Sequence, residues 1–264
     1  MAVHLKSIWS GSSGNCLALW TEHTRILIDC GFSSMRTMEL VLKAAGIDLT
    51  RIDAVLVTHA HHDHINWPSI RVLEKYGIEV RCHESIVTQI CWKHWRRPAE
   101  EMPMGTFCNR RFAINDLSIK AVQVPHAPSF PTFGFAIEVD GKRPTKIVAA
   151  TDFNNPMTLL PHCVDADMLF VEANHDPELL RLFPNHNSKY HMRNETTAEL
   201  LFAACAESRG HPKHVLLGHL SKQRNRAELA IAAVGDYFRR HKETMGFGLV
   251  AAPRFEESET IVVK

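Results

Sequence analysis

Residues 57–65 read VTHAHHDHI and place four histidines and one aspartate directly after the apolar run AVLV. A short run of branched apolar residues predicts a strand that is buried on both faces. On an irregular turn after that strand, His59 and His61 can face one metal ion while Asp63 and His64 reach a second. Imidazole and carboxylate together suit zinc, with manganese and iron as competitors. The alternative is a solvated histidine-rich loop, but four ligand-type side chains after a buried strand favour a metal site.

Other apolar runs of the chain also end at side chains of the kinds that bind metals. His126 follows IKAVQV, Asp152 follows KIVAA and His219 follows HVLLG, while Asp29 and His175 follow two further runs. Ends of several strands meet at one edge of a sheet, where open α/β folds bind their ligands. Taken singly, His126 also fits a proline-flanked loop, Asp152 a helix cap and His219 an ordinary loop.

These strand ends and the histidine turn (residues 57–65) supply enough ligands for two metal ions that share one carboxylate. The predicted ligand sets are His59, His61 and His126 for one ion, Asp63, His64 and His219 for the other, and Asp152 as the bridge. We expect two divalent ions, with Zn²⁺ favoured and Mn²⁺ or Fe²⁺ as alternatives.

The composition is that of an ordinary globular protein. Of 264 residues, 45% are apolar and 22% are charged, which allows a sizeable core.

No stretch approaches the roughly 20 uncharged apolar residues of a membrane span, and the start has no apolar segment of signal-peptide length. Seven scattered cysteines without a Cys-x-x-Cys pair predict reduced thiols and a cytoplasmic location. A net charge of +1 means that nucleic acid would have to bind at local patches. Homodimer formation is left open.

The order of the predicted elements indicates an α/β protein. Strands follow one another at 2–9, 16–20 and 25–29, and the last strand candidate lies at 260–264. Helices are predicted after Ser34 and Asn66, with Gly46 and Gly77 as their ends. Two later helices are predicted to begin with asparagine caps, at NETTAELL and NRAELA. We expect one domain over residues 1–264, with two sheets between layers of helices.

The whole pattern resembles the metallo-β-lactamase fold superfamily. His-x-His-x-Asp-His is followed by a spaced His, Asp and His, and the match runs along nearly the whole chain. The segments that resemble the YycJ (WalJ)-like branch are SGSSGNC at 10–16, LIDCG at 27–31, EANHD at 172–176 and GHLSKQRNRAELA at 218–230. The family segment Gly-His-Leu-Ser-Asn is similar to YHMRNE at 190–195, where Arg193 replaces the usual serine.

The resemblance implies a four-layer αββα sandwich and a metal-dependent hydrolase that cleaves phosphodiester bonds, most often as a nuclease or exonuclease on DNA or RNA. In zinc β-lactamases the bridging position is commonly cysteine, so Asp152 argues against antibiotic hydrolysis. A small-molecule hydrolase remains an alternative, acting on a cyclic nucleotide or another phosphodiester metabolite and less readily on a thioester. A non-catalytic module stabilised by metal is disfavoured because all seven ligand positions hold competent residues.

Five further positions are predicted to act on substrate or protons. His191 is the first candidate for the acid that protonates the leaving oxygen, and His175 is the second. Asp63 is assigned to catalysis as well as to metal binding. The turn SGSSGN could bind a phosphate through Ser12, Ser13 and Asn15, although glycine and serine also make ordinary hairpin turns.

Basic and aromatic residues between 92 and 112 could guide a single nucleic-acid strand by stacking and phosphate contacts. They are Trp92, Lys93, Trp95, Arg96, Arg97, Arg110 and Arg111. The alternative is a solvated charged face with tryptophans in the core.

Overall fold

The structure is a computed structural model that describes residues 2–95, 97, 101, 104–141 and 144–263. The chain divides into two compact units. The first unit runs to Ala121 and includes Pro253–Val262, and the second unit is Val122–Ala252. The expectation of a single domain over residues 1–264 stays a prediction.

The fourteen strands found in the described residues form two sheets. The strands are β1 Val3–Trp9, β2 Cys16–Trp20, β3 Arg25–Ile28, β4 Ala54–Val57, β5 Glu79–His83, β6 Met104–Phe107, β7 Phe112–Ile114, β8 Leu117–Val124, β9 Thr132–Val139, β10 Thr145–Ala150, β11 Met168–Glu172, β12 His214–Gly218, β13 Gly248–Ala251 and β14 Ile261–Val263. One sheet has the order β14-β1-β2-β3-β4-β5-β6, and the other has the order β13-β12-β11-β10-β9-β8-β7. The chain passes from the first unit to the second within β8.

Both sheets are mixed. In the first, β1, β2 and β3 pair antiparallel and β3 to β6 pair parallel. In the second, β9 and β10 are antiparallel, whereas β10 to β13 are parallel. The strands of these parallel segments that carry uninterrupted apolar runs, such as β4, are buried at every position. The predicted α/β class with two mixed sheets is confirmed.

The seven α-helices of the described residues lie between the strands in sequence. They are α1 Met35–Ala44, α2 Trp67–Lys75, α3 Val87–Ile90, α4 Leu160–Cys163, α5 Pro177–Leu182, α6 Asn194–Glu207 and α7 Ala227–Arg240. Ser34 caps α1 and Asn66 caps α2, each by accepting a backbone amide of the first turn. Gly46 and Gly77 follow the ends of the two helices, as predicted, and both have positive φ.

The two predicted asparagine caps are wrong. Arg193 and Arg226 are the residues before α6 and α7, and neither makes a capping hydrogen bond with its side chain. Asn194 and Asn225 instead exchange two side-chain hydrogen bonds of 3.0 and 2.7 Å. Both amides are buried and therefore need hydrogen-bond partners. They find these partners in each other and, for Asn225 Nδ2, in the backbone oxygen of Ala173.

The core of the second unit joins its sheet to α6 and α7. Val148, Val171 and Leu217 from neighbouring strands pack in one cluster with Leu201 of α6 and Phe238 of α7. All seven cysteines are free, as expected for reduced thiols. Among the described helices, none combines the length and apolarity needed to cross a bilayer.

We expect Phe238→Ala to lower the free energy of unfolding by about 3–5 kcal/mol, because the ring is buried in this cluster and its removal leaves a cavity. Phe183→Ala is the matched control, since that ring is 47% exposed, and it should cost under about 1 kcal/mol. Chemical denaturation followed by circular dichroism measures both. Equal losses in the two variants would contradict the assignment of Phe238 to the core.

Candidate metal centre

In the first unit, Asp29 organises the residues of the histidine turn. Strands β3 and β4 are parallel neighbours with Ile28 opposite Leu56, so Asp29 lies beside the start of the turn. The Asp29 carboxylate accepts hydrogen bonds from Thr58 N at 2.9 Å, Thr58 Oγ1 at 2.8 Å and His64 Nδ1 at 2.7 Å. Asp29 is buried and has φ of 62°, in the left-handed region that few residues other than glycine adopt.

Hydrogen bonds orient the imidazole rings of the histidine turn. Because Asp29 holds His64 through Nδ1, the Nε2 atom faces the other way and lies 3.5 Å from Asp63 Oδ2. His59 Nδ1 lies 3.0 Å from Thr58 Oγ1, and its Nε2 lies 2.8 Å from His61 Nδ1. A carboxylate or hydroxyl on the far ring nitrogen is the usual support of a metal-binding histidine. The donors of the first unit therefore fit a metal site.

The turn is fixed by close backbone contacts with two other loops. Asn15 N donates to Asp63 O at 2.8 Å, and Cys30 N donates to His64 O at 2.7 Å. A Cβ atom added to Gly31 would lie 1.8 Å from Asp63 O, so only glycine allows this approach. The LIDCG segment thus contributes the Asp29 carboxylate that binds the turn, and its Gly31 leaves room for Asp63 O.

The loop SGSSGN, which is predicted to bind phosphate, makes hydrogen bonds within itself and contacts the histidine turn. Gly11 N donates to Asn15 Oδ1 at 2.9 Å, and Gly14 N donates to Gly11 O at 2.9 Å, so both amides are used within the loop. Asn15 Nδ2 lies 3.0 Å from His64 Nε2. Ser12 and Ser13 are exposed. Phosphate binding by Ser12, Ser13 and Asn15 stays a prediction.

In the second unit, three parallel strands bring Asp152, Glu172 and His219 side by side. Ala150 of β10 lies opposite Val171 of β11, and Glu172 lies opposite Gly218 of β12. Asp152 and His219 come shortly after their strands and have φ of 59° and 52°. Left-handed backbone at a non-glycine residue is strained and is common at functional sites.

Two of the other predicted ligands, His126 and His219, lie around Asp152 together with His191. Asp152 Oδ1 is 3.8 Å from His126 Nε2 and 3.6 Å from His191 Nδ1, and Asp152 Oδ2 is 3.6 Å from His219 Nε2. Ligand atoms of Asp152, Glu172, His191 and His219 all lie within 4.8 Å of one another. Burial lowers the pKa of His126, which favours the neutral imidazole that a metal requires. Imidazole and carboxylate donors at this spacing fit a divalent transition metal.

Glu172 is a functional residue that the sequence interpretation missed. Its Oε1 accepts hydrogen bonds of 2.7 Å from both His191 Nδ1 and His219 Nδ1, and the residue is fully buried. Burial alone would raise the pKa of Glu172, but the charges and hydrogen bonds of the two histidines hold it at about 2. Glu172 and Asp29 are thus both buried carboxylates that accept a hydrogen bond from a histidine Nδ1, one in each unit. Glu172 ends a buried strand just as Asp29 directly follows one, and this position is the signal that could have identified Glu172.

The two predicted acid candidates differ in their surroundings. Burial lowers the pKa of His191, but the Glu172 carboxylate outweighs it, so the pKa is raised overall. His175 is buried, and its Nδ1 makes no hydrogen bond with any residue that the structure describes. Burial, together with the charges of Arg193 and other neighbours, lowers the pKa of His175 to about 4. His191 therefore holds a proton more readily than His175.

The segment predicted to guide nucleic acid divides into buried and exposed parts. Trp95 is fully buried in the first unit, and the Arg97 guanidinium lies 4.7 Å from its ring centroid. Trp92 is 78% exposed. Cys91–Trp95 forms a π-helical turn, and His94 Nε2 lies 3.0 Å from Ala60 O of the histidine turn. Arg96 lies outside the described residues. The core interpretation holds for Trp95, and stacking remains a prediction for Trp92.

Comparison with known proteins places this geometry in a family. A profile of the Beta-lactamase superfamily domain matches residues 24–219. Exodeoxyribonuclease YycJ of Bacillus anthracis is 28% identical over 98% of this chain and 96% of its own length. Exodeoxyribonuclease WalJ of Streptococcus pneumoniae is 29% identical over 84% of this chain and 82% of its own. The metallo-beta-lactamase fold protein YhfI of Bacillus subtilis matches in structure with a TM-score of 0.73 at 15% identity, covering 100% of both chains.

We expect Asp29→Asn to weaken metal binding about 10- to 100-fold, because the support of His64 Nδ1 changes while Asn still tolerates positive φ. Competition with a chromogenic chelator measures the affinity. Asp53→Asn is the matched control, since Asp53 is an exposed aspartate of the same unit that hydrogen-bonds Arg25 N and not a histidine. Equal affinity in the Asp29 variant and the control would show that Asp29 does not support a ligand.

Proposed function

This chain belongs to the beta-lactamase superfamily and is a metal-dependent hydrolase, and we propose that it cleaves phosphodiester bonds of DNA from a strand end. The observation that carries the proposal is the alignment of 98% of this chain with a protein named as an exodeoxyribonuclease. The presence of Asp152 at the end of β10, where zinc β-lactamases commonly have cysteine, is consistent with phosphodiester chemistry and against a lactam substrate.

We assign the metal ligands as two sets of donors with Asp152 shared. The sets are His59, His61 and His126 for one ion and Asp63, His64 and His219 for the other. Support comes from each unit separately: Asp29 directs His64, and Glu172 directs His219, so both rings offer Nε2. When bound, a pair of divalent ions activates water and neutralises phosphate oxygens during displacement at phosphorus. Zinc is favoured by the donor types.

His191 is the proposed acid for the leaving oxygen. Its Nδ1 donates to Glu172, which leaves Nε2 as the atom that can hold a proton for the departing strand. The side chain is 17% exposed, so substrate can reach it, whereas His219 is almost fully buried. Because Glu172 raises the pKa of His191, the imidazole keeps its proton more readily near neutral pH.

Asp63 is the proposed base that complements the acid His191. Its carboxylate can orient the attacking water and take its proton, while its Oδ2 lies 3.5 Å from His64 Nε2. Ser12, Ser13 and Asn15 remain the proposed contacts for a phosphate of the strand. RNA and small diesters are the alternative substrates to single-stranded DNA for the same chemistry.

The proposal is tested with metal-loaded protein and a panel of substrates. The panel holds linear single-stranded DNA labelled at either end, RNA of the same sequence, circular single-stranded DNA, a cyclic nucleotide, bis(p-nitrophenyl) phosphate and a chromogenic cephalosporin. Linear DNA should shorten stepwise while circular DNA and the cephalosporin stay intact. Cleavage of circular DNA would contradict an exonuclease. Hydrolysis of the cyclic nucleotide with no cleavage of linear DNA would favour the small-molecule alternative.

We expect Asp152→Asn to lower the metal content from about two ions per chain to about one or fewer and to abolish hydrolysis of every panel substrate. Loss of the shared negative charge affects both ions, while Asn tolerates the left-handed backbone that Asp152 adopts. Elemental analysis and circular dichroism of the purified variant provide the measurement and the folding control. Full turnover in a folded variant would show that Asp152 does not bridge.

We expect His191→Ala to keep both metals and to lose about 10²–10⁴-fold in kcat on DNA, because the leaving oxygen loses its proton donor. Bis(p-nitrophenyl) phosphate has a good leaving group and should lose far less. Loss of metal from the variant would instead make His191 a ligand, which its distance of 3.6 Å from Asp152 Oδ1 also allows. Full rate on DNA with both metals present would rule out an acid role.

A further inference from the structure

A cavity of about 500 Å³ lies in the second unit beside His191. It is lined by Asn154, His175, Leu180, Asn185, His186, Ser188, Lys189, His191, Arg193 and Thr196. His191 belongs both to this lining and to the cluster around Asp152, because its Nδ1 bonds Glu172 and lies 3.6 Å from Asp152 Oδ1. The cavity therefore adjoins the proposed reaction site and does not coincide with it.

The charge of the cavity distinguishes it from two other cavities of the described chain. Lys189 and Arg193 are cationic, three histidines accompany them, and no residue of the described lining is acidic. A cavity of about 600 Å³ in the first unit contains Glu39 and Asp48. Another of about 830 Å³ in the second unit includes Glu138, Asp165 and Asp167. A cavity with cations and without carboxylates attracts anions.

Two further features of the cavity suit a phosphate. His175 lines it, is 2% exposed, and has an Nδ1 atom without a hydrogen-bond partner among the described residues. A buried ring nitrogen of this kind normally has a partner, which a bound ligand can supply. The fourteen-residue helix α6 begins at the cavity: Thr196 of its first turn lines it, and no side chain caps that end. Asn194 N at this end donates to His175 O at 3.0 Å, and the positive end of the helix dipole favours an anion there.

We propose that this cavity binds a second phosphate of the DNA substrate, either the phosphate at the strand end or the backbone phosphate next to the bond that is cut. The proposal rests on the proposed nuclease function. Lys189 Nζ and the Arg193 guanidinium supply the charge-assisted hydrogen bonds, and Asn154 Nδ2 is held nearby by Lys189 O at 3.0 Å. Lys189 Nζ lies 2.8 Å from His186 Nε2, another residue of the cavity lining.

The test uses full-length, metal-loaded protein carrying Lys189→Ala, Arg193→Ala or both. Each variant should raise KM for a single-stranded oligonucleotide about 10-fold, with a smaller change in kcat, because a charge-assisted contact with the strand is lost. Bis(p-nitrophenyl) phosphate has a single phosphate and should be affected much less. The slope of log KM against log salt should fall by about 0.7–1 for each charge removed. Arg239→Ala is the matched control, since it removes an exposed charge from α7.

Strands with a 5′ phosphate, a 3′ phosphate or two hydroxyl ends distinguish the source of the bound phosphate. If only one phosphorylated end loses its advantage in the variants, the cavity binds that terminal phosphate. If all three strands weaken equally, it binds a backbone phosphate. Equal KM in wild type and variants, or equal loss with the Arg239→Ala control, would overturn the proposal.

Binding of a cleavage-resistant phosphorothioate strand, measured by fluorescence anisotropy, separates this proposal from the nuclease function. Wild type that binds the strand about 10-fold more tightly than the double variant supports the cavity even if linear DNA is never shortened. Absence of any DNA cleavage by wild type refutes the nuclease function alone. Equal binding by wild type and the double variant refutes the cavity alone.

Discussion

Two carboxylates buried at the ends of strands, Asp29 and Glu172, hold His64, His191 and His219 in place. A buried carboxylate costs several kcal/mol unless hydrogen bonds and opposite charge compensate for lost water. Asp29 obtains them from Thr58 and His64. Glu172 obtains them from His191, His219 and the backbone amides of Phe153 and Met192. Because these carboxylates accept hydrogen bonds from Nδ1, they fix the orientation of the three imidazole rings.

The same strand ends store backbone strain. Asp29, Asp152 and His219 each adopt positive φ, which costs about 1–2 kcal/mol for most residues and less for aspartate. Neighbouring contacts compensate for this cost. Asp29 N donates to Leu56 O at 2.8 Å, and Asn174 Nδ2 donates to His219 O at 2.9 Å. Strands buried on both faces are rigid, so a sharp change of direction at their ends places a side chain accurately.

The sequence was sufficient where the signal is local. Apolar runs such as AVLV predict buried strands, and the polar residue after each run predicts its position at the sheet edge. The role of Glu172 as the hydrogen-bond acceptor of His191 and His219 was missed because these partners are 19 and 47 residues away in sequence. The asparagine caps failed for the same reason: Asn194 and Asn225 are 31 residues apart, and their pairing outweighs a local preference. Pairings over such separations depend on the fold and not on neighbouring residues.

Residues 186–191 contribute to both the proposed metal centre and the proposed phosphate cavity. Their 3₁₀ turn carries Lys189 into the cationic cavity, while Tyr190 O accepts a hydrogen bond from His126 Nδ1 at 3.1 Å. The next residue, His191, bonds Glu172. A phosphate drawn to Lys189 would therefore act on the same short segment that fixes His126 and the proposed acid. Asn154 lies two residues after Asp152, and its Nδ2 donates to Lys189 O, so this hydrogen bond connects the proposed phosphate cavity with the loop that carries Asp152. In the proposed exonuclease, this connection would make recognition of the strand coincide with the position of the bond that is cut.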